Sequence, residues 1–150
     1  IRKAYAAARR GEGEEATLAL QKEIQVQRCP ELLAALADIL LEQDGDRNEI
    51  RNLLEEALRK QPFNPLFRCM QLDQEVREGN WAGVENELAV LRDSLSSPVP
   101  VLLISLRHHL ACGERQAARE IAKSLAQRQG EMTPWQKFQS KQLFQRMQKP

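Results

Sequence analysis

The side chains best equipped for chemistry are few in this chain. Across 150 residues there are three cysteines, Cys29, Cys69 and Cys112, and two histidines, His108 and His109. Three is an odd number and no pair forms a CxxC. The spacing therefore predicts neither a disulfide framework nor a zinc finger. Neighbouring side chains on a helix diverge by about 100°, so the two histidines are not expected to share one ligand. Cys112 follows His109 by three residues, a spacing that lets thiol and imidazole meet, but no other residue completes a nucleophile site around them. No phosphate-binding glycine loop, HExxH or GxSxG occurs. The expectation is a protein that is not an enzyme, with no metal, cofactor or small-molecule substrate. Cys69 and Cys112 then read as small buried apolar side chains.

Charge narrows the partners. The 22 Lys and Arg nearly cancel the 21 Asp and Glu. Without a net field, nucleic acid and anionic membranes are disfavoured as partners. A loose basic strip, Lys137, Lys141, Arg146 and Lys149, is the one place where a phosphate could be touched, and a solvated face accounts for it as well. No run of about 18 apolar residues is present, so no membrane contact is expected through this stretch. The chain opens on Ile1 rather than Met, which suggests a piece of something longer. Cysteine usage weakly favours a reducing, cytoplasmic setting, with the periplasm still open because upstream sequence could carry a signal.

The elements that must position any site are set by a repeat. Gly11, Gly45, Gly79 and Gly113 are each 34 residues apart. Pro30, Pro62, Pro65, Pro98 and Pro100 cluster between them, and Pro134 follows the last at a similar distance. Glycine lets the chain reverse between helices, and proline marks helix starts. The pattern predicts a string of helical hairpins. After Gly45, Ile50, Leu53, Leu54, Ala57 and Leu58 trace one buried helical face, with Asp46 and Glu49 at capping-box spacing. Ala16, Leu20 and Ile24 do the same after Gly11. Val84, Leu88, Leu91 and Leu95 follow Gly79, and Ala118, Ile121, Ala122 and Leu125 follow Gly113. Under a shift of 34, Ala16, Ile50, Val84 and Ala118 are equivalent.

This pattern resembles the tetratricopeptide repeat family, most closely over GDRNEIRNLLEEALRKQPFNP, Gly45 to Pro65. Trp81, two residues after Gly79, stands where that family often has an aromatic. The resemblance covers residues 1–132 as four 34-residue hairpins. It implies an all-α, right-handed α-solenoid of antiparallel helix pairs. Residues 133–150 read as a capping helix, opened by Thr133, Pro134 and Gln136 at N-cap, first-turn and capping-box positions. One departure stands out. The family's small residue in mid helix A matches Ala4, but Asp38, Leu72 and Leu106 hold the places 34 residues on, and the helix A pattern is displaced by about one residue in repeats three and four.

In the family the concave face, lined by the A helices, receives an extended peptide or a helix. Carried over position by position, that face would hold Tyr5 and Arg9, then Leu36, Ile39 and Gln43, then Leu66, Met70, Asp73 and Arg77, then Leu103 and Arg107. The Lys, Arg and Asn clamp that some members use for a C-terminal carboxylate is missing, because Ile1, Tyr5, Leu36, Leu66 and Met70 stand in its places. An apolar groove with a charged rim suits an amphipathic helix. The resulting expectation is a non-catalytic interaction scaffold that binds a protein or peptide segment. Its alternatives are a dedicated escort for an aggregation-prone helix and, behind that, a regulator associated with nucleic acid. Self-association through the end helices is a further possibility.

Overall fold

The computed structural model describes residues 1–149 and is all-α. Nine α-helices lie among the described residues, and successive helices pack in pairs. The chain divides into two compact units, one ending at Gln74 and the other beginning at Glu75.

The first unit holds α1 (Arg2–Arg9), α2 (Gly13–Val26), α3 (Pro30–Glu42), α4 (Arg47–Lys60) and most of α5 (Pro65–Arg77). Here α1 packs on α2, α2 on α3 and α3 on α4. The apolar stripes do the packing. Ala16, Leu20 and Ile24 of α2 are buried, as are Ile50, Leu54 and Ala57 of α4. Ala37, Leu41, Ile50 and Leu54 form a core between α3 and α4, against which Leu40, Leu53 and Met70 are half-buried. Fully burying a leucine such as Leu54 contributes about 1.5–3 kcal/mol. Asp46 caps α4 by accepting from the Glu49 amide at 2.9 Å. The loop before α3 is tied to α4, since Arg28 pairs with Glu56 and the Lys60 ammonium donates to the Arg28 carbonyl.

The second unit holds the end of α5, then α6 (Val84–Asp93), α7 (Val99–Ala111), α8 (Arg115–Ala126), a short 3-10 turn (Gln129–Glu131) and α9 (Pro134–Met147). Helix α7 is its centre, packing on α6, α8 and α9. Its apolar sequence explains this: Val99, Val101, Leu103, Ile104 and Leu106 are all buried. Val99, Leu103 and Leu106 share a core with Ala118, Leu125, Met132 and Leu143. Thr133 and Gln136 form the full capping box at the start of α9. Trp135 is buried there and stacks on Phe138, with ring centres 5.2 Å apart.

Helices α1, α3, α5 and α7 end in the same way. One residue adopts a left-handed backbone and its amide bonds three residues back; the next amide bonds five residues back. Gly11 to Ala8 with Glu12 to Ala7, and Asp44 to Leu41 with Gly45 to Leu40, are the first two such pairs. Gly79 to Val76 with Asn80 to Glu75, and Gly113 to Leu110 with Glu114 to His109, are the others. This is the Schellman geometry. The left-handed residues are Gly11, Asp44, Gly79 and Gly113, so they are 33, 35 and 34 residues apart.

The second turn therefore departs from the glycine period. Asp44 takes the left-handed place at φ 55°, and Gly45 follows it. Counted from the left-handed residue, the buried mid-helix position is Ala4, Ala37, Leu72 and Leu106. Ala37, not Asp38, is the partner of Ala4. The one-residue displacement expected of repeats three and four lies in repeat two, where the first helix ends one residue early.

Candidate functional site

The structure places the expected groove residues in quite different settings. Leu36, Ile39, Asp73, Leu103 and Arg107 are buried within the chain. Arg9, Gln43 and Leu66 are exposed, while Tyr5, Met70 and Arg77 are half-buried. A partner's side chains can reach the exposed and half-buried members but not the buried ones. The turn at Asp44 accounts for Ile39: counting by 34 from the glycines puts it in the place that half-buried Asp38 holds. Asp73, Leu103 and Arg107 precede Gly79 and Gly113, where the two counts agree, and are buried by the packing around α5 and α7.

Tyr5, Asp38, Asp73 and Arg107 each stand six residues before a left-handed residue. They form a recurring polar position rather than members of an apolar groove. Within the first unit the Tyr5 hydroxyl donates to Asp38 Oδ2 at 2.8 Å. Burial, and then the negative charge of Asp38, push the phenol above its ordinary pKa, so it stays a donor. Gln43 lies against α2, where a Cβ on Gly13 would meet its amide nitrogen at 2.0 Å.

Of the predicted residues, Leu66 and Met70 follow one another at i, i+4 on α5, on one helix face. Near them in sequence stands Phe63, which no helical stripe includes. Phe63 precedes α5 and is 96 % exposed; Leu66 is 47 % exposed. The turn that carries them is held from inside. Asn64 Oδ1 accepts from the amides of Leu66 and Phe67 at 3.0 and 3.3 Å, and its Nδ2 donates to Gln61 Oε1 at 2.9 Å. Gln61 in turn donates to Glu31 Oε1 at 2.8 Å. An aromatic ring is thus presented to solvent on an anchored turn. Its signal in sequence was the bare placement of Phe63 between Pro62 and Asn64, outside any helical stripe.

In the second unit, His108 and His109 both approach one carboxylate oxygen, although neighbouring side chains on a helix diverge. Glu85, in the first turn of α6, reaches the C-terminal turn of α7. Its Oε1 lies 3.1 Å from His108 Nδ1 and 3.3 Å from His109 Nε2. The other nitrogen of His109 faces Glu114 Oε1 at 3.3 Å. Ser105 Oγ donates to the same Glu85 oxygen at 3.3 Å. Trp81 flanks the group, its ring 6.0 Å from that of His108 and its indole N–H donating to the Val76 carbonyl at 3.1 Å. The two Cα–Cβ directions do diverge, but imidazole arms are long enough to bend toward one carboxylate set between them. The residue that closes the group comes from another helix, so no local spacing announces it.

Cys69 is buried, as expected, whereas Cys112 is only half-buried at the C-cap of α7. Burial and the charge of Asp73 push the Cys69 thiol up to about 12, with Arg68 opposing. Cys112 is also raised, by desolvation and then by Glu114, with Glu85 adding to the effect. Neither is an activated thiolate.

The basic strip of α9 divides. Arg146 and Lys149, together with Arg115, Arg119, Leu110, Gly113, Ala118 and Met147, line a cleft of about 270 Å³, whereas Lys137 and Lys141 do not. No helix among the described residues is long and apolar enough to cross a membrane. Comparison with known family profiles, curated proteins and solved structures finds no match for this chain.

Proposed function

We propose that this protein is a non-catalytic interaction scaffold. In this reading its hairpins belong to a right-handed solenoid of the tetratricopeptide type, and it captures an apolar helical or extended segment of another protein. The observation that carries the proposal is the anchored display of Phe63 beside Leu66. Leaving a phenylalanine in water forgoes about 1.5–3 kcal/mol of burial. The Asn64 and Gln61 bonds fix the turn before any partner arrives, which lowers the ordering cost of binding. Met70, one helical turn beyond Leu66, supplies an adaptable apolar neighbour. An amphipathic helix meets such a set with residues at i, i+3 and i+4. Of the eleven groove residues inferred from the repeat, this reading keeps Leu66 and Met70 as contacts and adds Phe63.

The test is differential capture. Wild-type chain, Phe63→Asp, Leu66→Asp and a control, Val26→Asp, are used as baits in native lysate, after circular dichroism has matched their helicity. Val26 is 90 % exposed at the end of α2 and is not one of the three proposed contacts. A partner held by wild type and Val26→Asp, and lost from both Phe63→Asp and Leu66→Asp, is the expected result. Equal capture by all four baits would remove this surface as the site. Ile39→Asp is unsuitable here, since Ile39 is fully buried and a charge there tests folding instead.

A further inference from the structure

We infer that Glu85, His108 and His109 form a binding site for a divalent transition-metal ion of the zinc class. The inference stands on the geometry of the second unit and is independent of the proposed docking surface. Three features carry it.

The first is donor type and convergence. Two imidazole nitrogens and one carboxylate oxygen lie within 4.8 Å of one another. Two nitrogens and one oxygen are a borderline-soft set, suited to zinc and its neighbours rather than to calcium or magnesium. The second is spacing. Donors bonded to a tetrahedral ion at about 2.0–2.1 Å stand about 3.3–3.4 Å apart. The nitrogen-to-oxygen separations here are 3.1 and 3.3 Å. A small opening of the three side chains would admit the ion between atoms that already face one another.

The third is the outer partner. Glu114 Oε1 faces His109 Nδ1. It would accept that N–H, leaving Nε2 with its lone pair aimed inward toward Glu85. A carboxylate behind a ligating histidine fixes the tautomer and raises its basicity. Ser105, which donates to the same Glu85 oxygen at 3.3 Å, helps to orient the third ligand. The ligands stand at the start of α6 and the end of α7, so ring and carboxylate positions are set by helix packing rather than by a loose loop. The Glu85 side chain is 52 % exposed whereas those of His108 and His109 are 10 % and 15 % exposed. That leaves an entry path over the carboxylate and a fourth position open to water. Ion binding would join α6 to α7 by coordination where they are now joined by hydrogen bonds to one oxygen, and so would stabilise the second unit.

The experiment uses the full chain, free of any affinity tag, with Zn²⁺ in calorimetry and Co²⁺ as an optical probe. We expect one Zn²⁺ per chain, a higher thermal midpoint with excess Zn²⁺, and visible absorption from Co²⁺ that Zn²⁺ displaces. Glu85 is exposed and Glu85→Gln keeps its size; that variant should weaken binding at least tenfold, as should His109→Gln. Glu114→Gln should weaken it about 10–100-fold while keeping the stoichiometry. Absence of stoichiometric binding by the wild-type chain would overturn the inference. So would Glu85→Gln and His109→Gln variants that bind as tightly as wild type, since the ion would then sit elsewhere.

Discussion

The turn after α3 and the turn after α5 are closed by the same pair of backbone bonds, yet their glycines serve different purposes. After α5, Gly79 is itself the left-handed residue, at φ 83°, and a Cβ there would meet nothing within 4 Å. Glycine is favoured there by conformation alone. After α3, Asp44 carries the left-handed backbone, and Gly45 stands one place later. A Cβ on Gly45 would lie 3.2 Å from Leu40 Cδ2 and 3.3 Å from the Leu40 carbonyl oxygen. That glycine is favoured by close approach. The lesson is that an even spacing of glycines need not mean an even spacing of turns, and that one shifted turn relocates a whole helix face.

Substitutions in these helices and turns separate the two cases. The largest effect is expected where the common register buries a large side chain. Leu106, seven residues before Gly113, is fully buried, and Leu106→Ala should cost about 2–5 kcal/mol in chemical denaturation. The equivalent place before Asp44 is Ala37, also fully buried. Ala37→Leu should overpack it and cost about 1–3 kcal/mol. If Asp38 were instead the inward position, Ala37→Leu would be close to neutral. Next comes Gly79→Ala, expected to lose about 1–2 kcal/mol from the left-handed backbone. Smallest, and opposite in sign, is Asp44→Gly. Relief of the left-handed strain, less the added unfolded-state entropy of glycine, should raise stability by about 0.5–1 kcal/mol. A loss of stability in that variant would mean that the Asp44 side chain contributes more to the turn than its backbone costs.

The same contrast explains which parts of the molecule could be read from the sequence. The B-helix stripes at Ile50, Leu54 and Ala57, and at Val84, Leu88 and Leu91, were legible because period and caps are local properties. The box formed by Thr133 and Gln136 was legible for the same reason. The inward side of α3 was not, because Asp tolerates a left-handed backbone well enough to replace glycine without leaving a gap in the period. Counting from Gly45 consequently puts Ile39 on the surface, whereas it belongs to the interior. Phe63 lies outside every stripe, so periodicity had nothing to say about it. The convergence of Glu85 on His108 and His109 depends on α6 packing against α7, a tertiary fact that no spacing along the chain expresses.

The central functional claim is that a partner docks where Phe63 and Leu66 face solvent. Its most direct measurement is site-specific photo-crosslinking, with a benzophenone side chain placed at position 63 and, as a control, at position 26, in cells producing the full chain. Docking at this surface should give one discrete adduct from position 63 that position 26 does not give and that Leu66→Asp removes. Failure of position 63 to form any adduct, or the same adducts from both positions, would contradict it.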